Sequence, residues 1–213
     1  SSMKLRPPPF AKVRLIDPNL FRTMSEAMLA LTMFLHRDMP KYAQQQAEQS
    51  WQPLPMVQAH ERRIGVLGLG ELGRVSAQRL KDNGFTVAGW SRTPKQLDGV
   101  ACFYGEDGLL SLLAQSDILV CLLPLTAETD SLLDQMRLSC LPIGASVINF
   151  ARGAVIDDDA LLTLLDNGHL SHAVLDVFRA EPLNSGHPFW QHKSVTVLPH
   201  ISAPTHPLSA SRI

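Results

Sequence analysis

"VLGLGELGRVSAQRL", from Val66 to Leu80, is the stretch on which the rest of the chain turns. Gly68, Gly70 and Gly73 stand in G-x-G-x-x-G spacing between an apolar, β-branched run and an amphipathic segment. In a strand-turn-helix unit the first glycine permits the tight turn, the second lets the backbone approach a pyrophosphate, and the third lets helix and strand pack closely. The start of the helix, at Glu71 and Leu72, brings unpaired N–H groups and a partial positive charge to the same place. A glycine-rich turn that binds nothing has the same spelling, so the motif is trusted only where a strand precedes it and a helix follows.

That context holds along the chain. From Ile64 onward short apolar runs at 64–67, 86–90, 118–123, 146–150, 172–178 and 195–198, with a shorter one at 101–104, alternate with helical patterns at 71–82, 106–115, 128–137 and 158–167. Near-continuous apolar strands are those of a parallel sheet covered on both faces. In the last helix Asp157 or Asp158 serves as cap, Leu161, Leu164 and Leu165 recur at helical spacing, and Gly168 stands where a left-handed residue ends it. The expected fold is α/β, a doubly wound parallel sheet of Rossmann type with an N-terminal helical appendage.

The appendage reads differently. Thr23 and Glu26 have capping-box spacing, and the helix they open is apolar almost all round from Ala27 to Leu35 until Pro40 breaks it. Such a helix is buried on more than one side, either in its own core or against another subunit. A polar helical turn or two then runs from Lys41 to Trp51.

Composition narrows the function classes. With 213 residues, 45% hydrophobic, 18% charged and a formal net charge of -1, the chain has the makings of a globular core and none of the basic excess of a nucleic-acid binder. No stretch reaches the roughly 18 apolar residues of a membrane span. The three cysteines, Cys102, Cys121 and Cys140, form no C-x-x-C pair and read as reduced thiols of a reducing, cytoplasmic compartment. His36, His60, His169, His172, His187, His192 and His206 show no ligand spacing, so no metal is expected.

An NAD site shows a carboxylate about twenty residues after the glycines, at the end of the second strand. Here the sequence reads "GWSRTPK", and Ser91, Arg92 and Thr93 suit a 2′-phosphate instead, since guanidinium grips phosphate in a fork. NADP is therefore expected, with NAD as the alternative.

Arg152, Glu181 and His200 lie far apart in sequence, yet each follows a strand, and in a parallel sheet all carboxyl ends share one edge with the glycine loop. Asp176 belongs to the same rim. A histidine paired with a carboxylate is oriented and holds a proton that it can give to a carbonyl oxygen. An arginine beside it can bind a substrate carboxylate and polarise the neighbouring carbonyl. Together they suit reduction of a 2-oxo acid, although singly they also read as a surface ion pair, a turn and a loop histidine.

"GLGELG", "LLPLTAET", "NFARGAVIDDDALLTLL", "AVLDVFRAEPL" and "HPFWQHKSVTVLPHISA" resemble, in order and spacing, the nucleotide-binding domain of the D-2-hydroxyacid dehydrogenase family, and most of all its glyoxylate/hydroxypyruvate reductase branch. The resemblance implies that Arg152 binds the substrate carboxylate, that His200 is the acid/base and that Glu181 is its partner. It further implies that Leu123, Pro124, Thr129 and Ala151 line the nucleotide together with Arg152 and His200, that Asp176 contacts the nicotinamide carboxamide, and that the helix from Met24 to Leu35 builds a homodimer. It divides the chain into an interdomain and dimerisation segment (1–60), a dinucleotide-binding domain (61–203) and a truncated tail (204–213). The family's N-terminal substrate domain and C-terminal helix are expected to be absent from this chain, leaving it a poor catalyst by itself. A nucleotide-sensing, dimerising interaction module without turnover is the alternative reading.

Overall fold

In the computed structural model, which describes residues 18–203, seven parallel strands form one sheet in the order β3-β2-β1-β4-β5-β6-β7. The strands are β1 (Arg63–Leu67), β2 (Thr86–Ser91), β3 (Ala101–Tyr104), β4 (Ile118–Cys121), β5 (Ala145–Asn149), β6 (Leu170–Leu175) and β7 (Val195–Val197). The helices are α1 (Pro18–His36), α2 (Met39–Ala47), α3 (Glu71–Asp82), α4 (Gly105–Leu113), α5 (Gln135–Ser139) and α6 (Asp158–Asp166). Strand order reverses between β1 and β4, and such a switch point opens a crevice at the carboxyl ends of the strands.

Two cores sandwich the sheet. On one face α4, α5 and α6 bury Leu109, Leu112, Leu138, Leu161 and Leu164 against Leu119, Val147 and Ala173. On the other, Ala77 and Leu80 of α3 and Met28 and Leu35 of α1 cover Ile64, Val66, Val120 and Ile148. Helix α1 is thus part of the core as well as an N-terminal extension. Its buried polar residues are satisfied locally, Ser25 donating to the Arg22 carbonyl and Thr32 to that of Met28.

The structure corrects several boundaries. Helix α1 begins at Pro18, so Thr23 and Glu26 are interior residues and not a capping box. Pro40 does not merely stop a helix: it stands in the first turn of α2, where a missing N–H costs nothing. The expected helix at 128–137 is a series of turns leading to α5, because the Thr129 hydroxyl bonds back to the Pro124 carbonyl and closes the loop on itself. Strand β4 stops at Cys121, two residues short of the expected end, and β6 is displaced to Leu170–Leu175. Val177 is buried and Phe178 packs on the core although both have left the ladder, so their apolar character marks burial and not strand. Asp157 caps α6 by accepting from the Ala160 amide, and Gly168 has φ +77° as expected. Burial pushes the Cys121 thiol up to about 12, which leaves it inert. Residues 1–17 of the interdomain segment and the tail 204–213, with His206, lie outside the described residues. Among those described, no helix is long and apolar enough to cross a membrane.

Candidate active site

The glycine loop leaves β1 at Gly68, whose φ of +104° only glycine adopts without strain. A Cβ on Gly73 would lie 1.8 Å from the Gly68 carbonyl oxygen, so α3 and the strand touch through backbone alone. Gly70 is the opposite case: nothing lies within 4 Å of where its Cβ would be. This open space at the N-terminus of α3, with Glu71 and Leu72 in its first turn, is a cradle that a side chain would fill and a pyrophosphate fits. Leu69 between them is buried, seated so tightly over β2 that a Cβ on Gly89 would come within 2.4 Å of it. Sequence reading passed over Gly89, although a glycine inside a strand pattern signals a close approach.

Two loops flank the cradle. At the end of β2 the buried Ser91 donates its hydroxyl to the Thr93 carbonyl (2.7 Å), shaping a turn that leaves Arg92 and Thr93 exposed. Arg92 makes no ion pair among the described residues. After β4, Leu123 is buried while Pro124 is exposed, and Thr129 fixes the turn with its 2.6 Å bond to the Pro124 carbonyl and by accepting from the Thr126 amide.

Farther along the same edge the His200 ring donates through Nδ1 to Glu181 Oε2 at 2.7 Å, while Glu181 Oε1 accepts from the Phe178 amide at 2.9 Å. Partial burial opposes the charge on Glu181, but the hydrogen bonds from His200 and Phe178 and the charges of His200 and Arg152 outweigh it and hold the carboxyl below its usual range. With Nδ1 engaged, Nε2 is the ring nitrogen left to exchange a proton. His200 sits at φ +54°, a region that non-glycine residues rarely occupy and that persists only where the surroundings impose it. Asp176 imposes it. Its fully buried carboxylate accepts from the amides of Ile201 (2.7 Å) and Ser202 (3.0 Å) and from the Ser202 hydroxyl. Asp176 therefore serves this loop before any ligand, and its carboxylate is turned away from solvent.

Arg152 is exposed beyond β5, one guanidinium N–H donating to the Ala151 carbonyl at 2.7 Å and the others without a partner among the described residues. Its turn is held by Asn149, which accepts from the Ala151 amide and donates to the Arg152 carbonyl. A Cβ on Gly153 would meet the Phe178 carbonyl carbon at 1.9 Å, so only glycine lets the arginine loop lie against the loop of Glu181. Arg179 joins the same loops, donating to Asp130, the Ser131 hydroxyl and the Ala154 carbonyl. Asn149, Gly153, Arg179 and Ser202 went unread in the sequence. Asn149 alone left a signal, as the one amide in an apolar strand. A pocket of about 430 Å³ opens beside His200 and Glu181, walled by Phe178, Leu183 and Trp190. Among the described residues no cluster of three His, Cys, Asp or Glu could hold a metal ion.

Residues 29–202 match the family model described as "D-isomer specific 2-hydroxyacid dehydrogenase, NAD binding domain". The chain is 44% identical over 195 residues to glyoxylate/hydroxypyruvate reductase A of Yersinia enterocolitica, covering 92% of this chain and 62% of that protein's length. The fold superposes with a TM-score of 0.88 on a D-isomer specific 2-hydroxyacid dehydrogenase of Xanthobacter autotrophicus solved with NADPH and MES, at 45% identity over 92% of this chain and 81% of that one. An NADPH-dependent glyoxylate/hydroxypyruvate reductase of Sinorhizobium meliloti, solved with NADP and sulfate, gives 0.87 at 32% identity, covering 92% of this chain and 63% of that one.

Proposed function

The chain belongs to the D-isomer specific 2-hydroxyacid dehydrogenase family, and from that premise we propose that it is the NADP-binding, catalytic-residue-bearing part of a reductase for small 2-oxo acids such as glyoxylate or hydroxypyruvate. The observation that carries this reading is the 2.7 Å pairing of His200 with Glu181 on the same edge as an open glycine cradle and an exposed arginine that makes no ion pair among the described residues. Gly68, Gly70 and Gly73 hold the pyrophosphate, while Leu123, Pro124 and Thr129 border the nucleotide. Exposed Arg92, with Thr93 beside it, takes the 2′-phosphate, which is the argument for NADP over NAD. When bound, the cofactor supplies a hydride. Arg152 grips the substrate carboxylate with its free N–H groups and polarises the carbonyl, and His200 Nε2 delivers a proton to the carbonyl oxygen. Glu181 holds the ring in that tautomer and compensates its charge.

The partner in this reading is a second copy of the chain. Met24, Ala27, Leu31 and Phe34 form a half-buried apolar stripe on α1 at spacings of three and four; Ala27, Leu31 and Phe34 also pack against the sheet core, and the surface they leave exposed is available to a second copy. The free thiols of Cys102, Cys121 and Cys140 suit a cytoplasmic setting.

Oxidation of NADPH by glyoxylate or hydroxypyruvate tests the proposal. The expected result is weak turnover by this chain with NADPH preferred over NADH, and a further loss in kcat/KM for Arg152→Ala of about 3 kcal/mol, the scale for removing a donor to a developing oxyanion. Tighter binding of NADH would remove Arg92 from its role, and near-normal kcat/KM in Arg152→Ala would remove Arg152.

A further inference from the structure

The opposite, amino edge of the sheet holds a second pocket, of about 250 Å³, which the proposed reaction leaves unused. It lies under the starts of β4, β5 and β6, at Ile118, Ser146 and His172, and is closed on one side by the elbow between α1 and α2. Its charged groups are unequally paired. The Asp117 carboxylate is held by Arg63 through two guanidinium bonds of 2.6 and 3.1 Å and through the Arg63 amide at 2.8 Å. Asp38 is held by Lys41 Nζ at 2.7 Å. Arg62 makes no ion pair among the described residues, and its Nε is buried without a hydrogen-bond partner. Ser146, only 7% exposed, lines the pocket with a hydroxyl that has no partner among the described residues. Buried His172, with Nε2 on the Thr196 hydroxyl, is neutral at pH 7 because burial lowers its pKa to about 4.

The N-terminus of α2 borders the same space. This helix has nine residues, and Asp38 at its N-cap gives no side-chain bond to the first-turn amides. Those amides have no partner within the helix, and Pro40 removes only one of them. Positive charge and unpaired donors thus converge on a cavity whose other walls, Leu35, Leu54, Pro55 and Val57, are apolar.

We infer that the pocket between the α1–α2 elbow and the starts of β4, β5 and β6 binds a small monocarboxylate, its carboxylate on Arg62 and Ser146 and its apolar body against Leu35, Leu54 and Val57. Guanidinium receives a carboxylate with two parallel hydrogen bonds. One unpaired cation matches one negative charge and leaves a dianionic phosphate under-compensated. The volume falls below the roughly 300–1,000 Å³ of ordinary small-molecule sites, which selects a short ligand. This site is independent of the proposed reductase chemistry, since it shares no residue with the glycine edge.

Hexanoate is a suitable probe, titrated calorimetrically into the full 213-residue chain at pH 7. The expected result is saturable binding at one site, weakened at least tenfold by Arg62→Met and by Ser146→Val and unaltered by Arg152→Ala. Valine suits a strand, so Ser146→Val tests the site even where Arg62→Met fails to fold. Absence of saturable binding, equal affinity for sulfate, or loss of binding in Arg152→Ala with retention in Ser146→Val would each overturn the assignment.

Discussion

Polar side chains at the carboxyl edge of the sheet bond largely to backbone, whereas those at the amino edge bond more often to one another. Thr129, Asn149, Asp176 and Glu181 each bond main-chain groups of the loop they serve. Across the sheet, Arg63 pairs with Asp117, Lys41 with Asp38 and His192 with Asp166. A side chain that binds backbone fixes loop shape, which a site needs. Ion pairs between partly exposed side chains fix little, contributing about 0–1 kcal/mol each. The functional edge is therefore the one whose loops are fixed in shape, both within a loop, as by Thr129, and between loops, as by Asp176 and Arg179.

Within that edge, Gly70 and Gly73 separate binding from folding. Gly73→Ala drives a methyl into the Gly68 carbonyl, where both sides are backbone and neither yields. A loss of about 3 kcal/mol in unfolding free energy is expected, at the upper end for overpacking, with NADPH binding lost as the loop moves. Gly70→Ala places its methyl in open space, so stability should stay within about 0.5 kcal/mol while NADPH affinity falls. Chemical denaturation and fluorescence titration of the two variants check this. Equal loss of stability in both would show that the cradle is merely structural.

How the sequence could announce one part of this edge and not another follows from the same contrast. The glycine spacing and the β-branched runs are local patterns, and the doubly wound parallel sheet with its seven strands, the short run at 101–104 included, followed from them. The meeting of Glu181 and His200 was legible because parallel topology sends every strand's carboxyl end to one side. Gly153 and Arg179 were not legible, since a glycine needed for contact with residues 178–179 shows no local sign of it. The expected helix at 128–137 failed for a related reason: one hydroxyl bond from Thr129 to Pro124 overrides a weak helical periodicity.

The amino edge gives the next largest effect, through His172. Its folded pKa of about 4 lies below the ordinary value of 6.5, so between these pH values the unfolded chain binds a proton that the folded chain refuses. Stability is full above about pH 6.5 and falls as pH drops toward 4, by about 2 kcal/mol at pH 5. The buried ring and the neighbouring charge of His192 are the causes, in that order. In His172→Gln, which keeps a bonding partner for Thr196, the slope of melting temperature between pH 6.5 and pH 5 should flatten. An unchanged slope would assign the acid sensitivity to other groups.

Arg179 offers the smallest and most discriminating test, because it belongs to the rigid edge yet touches none of the residues proposed to act on substrate. Its guanidinium bonds Asp130 at 3.3 Å, the Ser131 hydroxyl at 2.9 Å and the Ala154 carbonyl at 3.2 Å, clasping the loops after β4, β5 and β6. With the side chain half exposed, the clasp contributes little to global stability, and the melting temperature of Arg179→Ala should move by only a few degrees. Its effect belongs to the position of Arg152 relative to Glu181 and His200. If Arg152 binds the substrate carboxylate, Arg179→Ala should raise KM about tenfold, or about 1.4 kcal/mol, with a smaller change in kcat and no change in NADPH affinity. Lysine reaches one of the three partners but cannot fork between them, so Arg179→Lys should restore only part of the loss. A fall in kcat at unchanged KM would instead connect the clasp to the His200 loop.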